Sequence, residues 1–360
     1  MVKKRFLFFV LIVFKQLLVK KIKNDSSQAL LKCARFKRII VQDSTIVKLP
    51  NRLFFLFSGV SNGVGKTANA RIQYAFDIIN EQVKYFSIDS YSKNDLSQTR
   101  RLIIKMGDLI LRDRGYLTYD EITRIIQKGA DFIFRYKFKI KCLSITTNAT
   151  IDILKLLKKH QNLDIKVRLN DKNGPIVRIV AVPINQELAD RRRSKLKKEA
   201  SSKPSKENLE IQSWSIYITS IPKQEMNFVE IFSLYKLRWR VEILFKTMKS
   251  GLKLDSIHNV SNTQLQFIIY AKLMFLVITM QFIYLPAAQK INEQLNKELS
   301  ILKLITYLAE DKMRILETVE ELLNENKLIG PKLNSIARYC TYDKRKRQNY
   351  HKFASEIILS

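Results

Sequence analysis

Apolar and polar positions change their rhythm three times along this chain. Up to about residue 90 the apolar residues come in short runs, Arg38–Gln42, Arg71–Ile79 and Val83–Ile88, rich in Ile, Val, Tyr and Phe. Such runs predict strands, because branched and aromatic side chains pack well on a pleated surface. A helix-like segment at about Leu96–Lys105 follows, then a short apolar run Leu109–Leu111 leading into Asp113-Arg-Gly-Tyr116. Thr118 stands three residues before Glu121, the spacing of a capping box, so a helix is predicted through about Gln127. Asp131–Lys139 reads as another strand. This succession predicts an α/β unit with a mixed sheet.

The pattern turns β-rich between about 141 and 222. Ile165–Leu169 and Ile176–Val182 flank Asp171-Lys-Asn-Gly-Pro175, a hairpin signal, and Ile211–Thr219 is a further strand. Between them lies the charge run Arg191-Arg192-Arg193-Ser-Lys-Leu-Lys-Lys198, which reads either as a solvated helix or loop or as a contact to DNA phosphates. Helical periodicity resumes at about Phe228–Lys249 and continues towards the C-terminus, with a second basic cluster at Lys344–Arg347. No internal repeat is visible. The chain therefore divides into 1–36, 37–140, 141–222, 223–285 and 286–360.

Charge narrows the reading further. Among 360 residues, 64 Lys and Arg stand against 33 Asp and Glu, a net charge of +31. The hydrophobic content of 46% excludes disorder throughout. So large a positive excess points to a polyanionic partner, most often nucleic acid. Three cysteines make no disulfide framework and fit a reducing cytoplasm, and three scattered histidines do not make a zinc finger.

Three segments imitate other things. Phe6–Phe14 follows Lys3, Lys4 and Arg5 as in a signal peptide, but Lys15 and Gln16 come next without a small-residue cleavage site. Leu265–Leu285 resembles a membrane span, yet Gln266, Lys272 and Gln281 interrupt it, so a core helix is the reading and no membrane partner is expected. Gly59–Thr67 resembles a phosphate-binding loop, but Val60 stands where that motif needs glycine. A flexible glycine loop accounts for it.

The most informative segment is Tyr235-Lys-Leu-Arg238-Trp-Arg-Val-Glu242, continuing to Lys249. At about 100° per residue, Tyr235, Arg238, Glu242 and Lys249 share one stripe of a helix, while Leu237, Val241, Leu244 and Met248 form an apolar one. An amphipathic surface helix with a Glu–Lys pair would look the same. The spacing Y-x2-R-x3-E-x6-K resembles the Tyr-Arg-Glu-Lys signature of the DDE transposases of insertion sequences, of the IS-four type. Two more motifs strengthen the resemblance, Ile39-Ile-Val-Gln-Asp43-Ser-Thr45 for the first catalytic aspartate and Asp113-Arg-Gly-Tyr116 for the second. The match runs from about residue 35 to 285. Asp108 is a rival to Asp113, but it starts its strand where Asp113 ends it, and ligands gather at the carboxyl ends of strands in α/β sheets. Asp108 is read as a surface or turn residue.

The resemblance implies a ribonuclease-H-like catalytic domain with a mixed sheet, interrupted by a β-rich insertion subdomain at 141–222 and followed by C-terminal helices. It implies cut-and-paste transposition, with DNA cleavage and strand transfer by the triad Asp43, Asp113 and Glu242. Those carboxylates would hold two ions of Mg2+ (or Mn2+), and hard oxygen ligands suit such cations without His or Cys. Tyr235, Arg238 and Lys249 would hold DNA phosphates, which position DNA without reading its sequence. Trp214 is either a core tryptophan or a stacking platform for a flipped base. The implied partners are the terminal inverted repeats and target DNA, bound by a homodimer in a synaptic complex, in the bacterial cytoplasm and on the nucleoid when bound. Only 42 residues precede Asp43, where the family carries a longer helical region for recognising repeats. Residues 1–36 therefore read as a truncated N-terminal region, and an inactive DNA-binding remnant is the alternative function.

Overall fold

The computed structural model describes residues 35–59, 67–80, 82–92, 99–200, 202–254, 260–323 and 328–342. The readings at Phe6–Phe14, within 60–66 and at Lys344–Arg347 lie outside the described residues, as does the N-terminal region before Arg35. Nine strands are named here in chain order: β1 (Arg38–Leu49), β2 (Ala68–Asp77), β3 (Gln82–Ser90), β4 (Asp108–Arg112), β5 (Asp131–Arg135), β6 (Cys142–Leu143), β7 (Leu163–Leu169), β8 (Ile176–Pro183) and β9 (Trp214–Thr219). They form a mixed sheet in the order β3-β2-β1-β4-β5-β9-β8-β7-β6.

The chain divides into two compact units. Among the described residues, one comprises 42–92 and 239–342, the other 35–41 and 99–238. In the second unit the first residues of β1 run parallel to β4, which runs parallel to β5, while β9, β8, β7 and β6 continue antiparallel. Every residue of β4 is buried, as expected for a central parallel strand. Helix α1 (Tyr119–Gln127) is capped by Thr118, whose hydroxyl accepts the N–H of Glu121. It ends at Gly129, whose positive φ of 67° glycine adopts without a Cβ penalty. The hairpin predicted around Asn173-Gly174 is β7–β8. The segment 141–222 is no separate compact body: its strands extend the sheet beyond β5, and contain between them α2 (Ile153–His160) and α3 (Gln186–Glu199).

Two helical expectations differ from the structure. Residues 103–105 are irregular rather than the end of a helix from Leu96, and only 99–102 of the expected segment form a turn among the described residues. The helix expected from Phe228 to Lys249 is in three pieces: α4 (Phe228–Lys236), α5 (Trp239–Lys246) and a π-helical turn, Thr247–Gly251. The break falls where the N–H of Leu237 bonds to Leu234 O and that of Arg238 to Tyr235 O, both i→i−3 bonds that tighten the chain out of α-geometry. The apolar stripe survives it, since Leu237, Val241, Leu244 and Met248 are all buried.

The first unit packs β2 and β3 with helices. Tyr74 meets Phe245 edge-on at 6.3 Å, and Phe86 meets Tyr270 at 5.9 Å. Helices α6 (Asn262–Ile278) and α7 (Leu285–Leu295) are joined by a π-helical stretch into one long apolar helix, with mean hydropathy 1.9 in its most apolar window. Leu265, Ile269, Leu273 and Leu276 bury one side of α6, and this is the face that the predicted core helix required. The remaining helices are α8 (Ile301–Glu310), α9 (Lys312–Leu323) and α10 (Pro331–Tyr339).

Candidate active site and nucleic-acid interface

In the second unit, β4 delivers Asp113 to the end of a fully buried strand. The next residues, Arg114–Tyr116, form a short 3-10 turn closed by the N–H of Tyr116 on Asp113 O at 3.1 Å. The Oδ1 atom of Asp113 is buried and has no hydrogen-bond partner among the described residues. A buried carboxylate oxygen without a donor is costly, so it marks a place that awaits a cation or a donor.

What fixes this strand end is an ion cluster immediately behind it. Arg112 is fully buried and donates to Glu121 Oε1, while Arg124 donates to both Glu121 oxygens at 2.9 and 2.6 Å. The Arg112 guanidinium also lies 5.7 Å from the Tyr116 ring centre and 5.9 Å from that of Phe134. Burial alone pushes the Glu121 carboxyl up, but the hydrogen bonds and charges of Arg124 and Arg112 outweigh it and hold it below the ordinary carboxylate range. Asp108, at the other end of β4, is 1% exposed and receives two hydrogen bonds from Arg38, at 2.7 and 2.5 Å, and one from the Lys105 N–H. It is not on the surface, one of the two places expected of it, because the Arg38 fork satisfies it inside the fold.

Tyr235 and Arg238 belong to the same unit as Asp113. Tyr235 is 8% exposed, and its ring lies 4.3 Å from that of Tyr217 on β9. It therefore lies on the packed face of α4, not on the polar stripe expected of it. Its hydroxyl is buried without a partner among the described residues, and Arg238 lies 5.6 Å from its ring centre. Burial drives the Tyr235 hydroxyl far above its ordinary range; the charges of Arg238 and Arg135 oppose this, and those of Asp113 and Tyr217 add to it. Burial also raises Tyr217, against Arg135, Arg192 and Arg238. Asp113, Arg135, Arg192, Tyr217, Tyr235 and Arg238 thus share one electrostatic neighbourhood, with three guanidinium groups around two phenols.

Arg135 was not among the residues singled out from sequence. A signal existed: Arg135 closes the strand run Phe132-Ile-Phe, and β5 is the parallel neighbour of β4, so both strands end on the side where ligands gather.

The other two carboxylates expected of a triad, Asp43 and Glu242, belong to the other unit. Asp43 is half-buried on β1 and its Oδ1 accepts the Ser44 N–H at 2.8 Å. Glu242 on α5 and Lys249 in the π-helical turn are half-buried as well. Among the described residues no three His, Cys, Asp or Glu side chains cluster to form a metal cage.

The basic run resolves into different roles. Arg191 is exposed and, among the described residues, pairs with Glu187 on its own helix, α3. Arg192 donates to Trp214 O and Ser215 Oγ, both at 3.1 Å, and Arg193 bonds Asp190, Leu209 O and Ser213 Oγ. These two guanidinium groups are tied into the fold, while Lys195, Lys197 and Lys198 are exposed on α3 beside Arg191. Trp214 is half-buried, and its indole N–H donates to Gln161 O at 3.0 Å.

An aspartate with an unsatisfied oxygen thus follows the end of a parallel strand, in electrostatic reach of arginines and tyrosines. Residues 34–278 match the family model of the transposase DDE domain, and the chain belongs to this family. It is similar to the transposase of insertion sequence element IS231C of Bacillus thuringiensis subsp. berliner, at 25% identity over 98% of this chain and 77% of that one. It is also similar to the transposase of element IS1151 of Clostridium perfringens, at 24% identity over 90% and 72%. A piggyBac transposase in a cryo-EM synaptic complex with hairpin DNA aligns with 82% of this chain and 59% of that one, at 9% identity and a TM-score of 0.41.

Proposed function

We propose that this transposase performs cut-and-paste transposition of an insertion sequence, through metal-dependent DNA cleavage and strand transfer by Asp43, Asp113 and Glu242. The observation that carries the reading is the buried, unpartnered Asp113 oxygen at the end of β4, within electrostatic reach of Tyr235. The parallel set β1, β4 and β5 beside the β2–β3 hairpin supports a ribonuclease-H-like catalytic domain, which 141–222 elaborates as an insertion between the second aspartate and the glutamate.

The three carboxylates would hold two Mg2+ (or Mn2+) ions, which would activate the attacking oxygen and stabilise the leaving one. The chain's other groups act on the DNA. Arg238 and Arg135 would hold phosphates as charge-assisted donors. Tyr235, buried and far above its ordinary pKa, stays a neutral phenol and offers its O–H as a donor rather than as a nucleophile. Lys249 would contribute a further phosphate contact, and the exposed face of α3 with Arg191 a more distant one. Trp214 would offer its ring face as a stacking platform for a flipped base, as the resemblance implies. The DNA partners are the terminal inverted repeats and the target, bound by a homodimer in the bacterial cytoplasm.

The test is magnesium-dependent cleavage of labelled DNA carrying the element's flanking repeats, by the unaltered chain and by Glu242→Gln. Cleavage by the unaltered chain alone is the expected result. Binding without cleavage by both would replace this reading with that of a DNA-binding remnant, and cleavage surviving in Glu242→Gln would overturn the triad.

A further inference from the structure

We propose that the β7–β8 hairpin is the positioning element for the DNA-contacting pair, through a buried clamp made by Arg178. This rests on the reading that Tyr235 and Arg238 contact DNA. Arg178 lies in β8, is 2% exposed, and uses its guanidinium on two sides. Nε and Nη2 donate to the two oxygens of Asp164 on β7, at 2.7 and 3.0 Å. Nη1 donates to the backbone oxygens of Met226, at 2.7 Å, and Ile221, at 3.3 Å. Those carbonyls bracket the loop that launches α4. Asn227 follows directly and caps α4 in a box with Glu230, the Asn227 side chain accepting the Glu230 N–H at 3.0 Å and Glu230 accepting the Asn227 N–H at 2.7 Å.

The clamp therefore fixes the first turn of the helix whose last turns carry Tyr235 and lead into Arg238. A second anchor comes from the neighbouring strand. Tyr217 on β9 meets Phe232 at 4.7 Å and Tyr235 at 4.3 Å, and it is paired in register with Val180, two residues from Arg178. With its start held by a guanidinium and its middle by an aromatic contact, α4 behaves as a short rigid lever. A buried fork of this kind holds a carboxylate and two carbonyls in one plane, which the ammonium of lysine cannot do. The β-rich segment between the second aspartate and the glutamate then has a mechanical task in the site, besides any contact of its own with DNA.

Three forms of the full chain test this: unaltered, Arg178→Lys, and the double variant Asp164→Leu with Arg178→Met. The double variant replaces the buried pair with apolar groups of similar bulk, an exchange that buried ion pairs tolerate, so the fold is kept while both carbonyl grips are lost. Hydrogen exchange is followed without DNA in α4 and, as internal reference, in β4 and α1. The expected result is exchange in 228–236 at least tenfold faster in both variants, with β4 and α1 unchanged. Unchanged exchange in 228–236, or an equal rise in all three elements, overturns the clamp. Cleavage per folded molecule at saturating repeat DNA is expected to fall at least tenfold in both variants, with a smaller change in the half-saturating DNA concentration. Full cleavage by a variant whose α4 exchanges faster would overturn its role in positioning. Should the unaltered chain cleave no DNA, the active-site reading fails by itself, and the exchange data still decide the clamp.

Discussion

An aspartate opens the strand β4 and another directly follows it, and the two could hardly be treated more differently. Asp108 has both oxygens held by Arg38 and a third bond from the Lys105 N–H. Asp113, five residues on, keeps a buried oxygen with no donor among the described residues. The same side chain on the same strand is thus satisfied at one end and left in need at the other. A buried carboxylate oxygen without a donor leaves the desolvation it suffers unrecovered. The difference teaches which charges hold the unit together and which await something from outside.

Exchanging each carboxylate for its amide separates the two. Asp113→Asn removes no pairing that the fold uses, so the chain should melt within a few degrees of the unaltered protein. Its DNA cleavage should fall about ten-thousandfold, ~5 kcal/mol of lost transition-state stabilisation. Melting and single-turnover cleavage on one preparation give both numbers, and an unfolded but otherwise competent variant would erase the contrast. Asp108→Asn should behave inversely. It leaves Arg38 without its buried counter-charge and should cost about 3–5 kcal/mol in urea unfolding, while the folded fraction cleaves at the normal rate.

The ion cluster behind Asp113 belongs with the charges paired inside the fold, and its pH dependence tests this. Glu121 is held below the ordinary carboxylate range, so its contribution is complete above the unfolded value of about 4.3 and is lost as pH falls through the lower folded value. Glu121→Gln should therefore cost about 3 kcal/mol at pH 7, from the fully buried Arg112 left behind. The gap between the two urea midpoints should close as the pH drops below about 4. A gap that stays constant with pH would mean that packing, not charge, fixes the end of β4.

Among the awaiting charges, Arg135 offers the next smaller effect. Arg135→Gln removes one charge-assisted donor from the neighbourhood of Tyr217 and Tyr235. Repeat-DNA binding should weaken by about 2 kcal/mol, roughly thirtyfold, with the salt slope lowered by about one. Folding should change little. Fluorescence anisotropy across a salt series reads both quantities, and an unaltered slope would remove Arg135 from the phosphate contacts.

Much of this was legible from spacing alone. The strand runs, the Thr118 cap and the β7–β8 hairpin follow from local chemistry, and the three motifs single out Asp43, Asp113 and Glu242. Local rules failed where long-range pairing decides. Asp108 looks like a turn residue until Arg38, seventy positions away, closes on it. Tyr235 falls on the polar stripe of an ideal wheel, yet the i→i−3 bonds at Leu237 and Arg238 end that wheel and Tyr217 buries the ring. Arg192 and Arg193 read as one run with Arg191, and only the carbonyls of Trp214 and Leu209 distinguish them. Hydrogen-bond partners remote in sequence leave no periodic trace.

That last run carries the smallest test of the comparison. Arg191 makes one exposed pair with Glu187, whose sides are 72% and 74% exposed, and such pairs contribute about 0–1 kcal/mol. Arg191→Ala should leave stability within about 0.5 kcal/mol and, if α3 meets DNA, lower the salt slope of binding by about one. Arg193→Ala should do the reverse. It strips hydrogen bonds from Leu209 O and Ser213 Oγ and should cost about 1–3 kcal/mol, with the slope unchanged once folded protein is compared. Two neighbouring arginines of one helix would then repeat what the two aspartates of β4 show. Equal slopes for both variants would instead make α3 a structural helix, and its exposed lysines a solvated face.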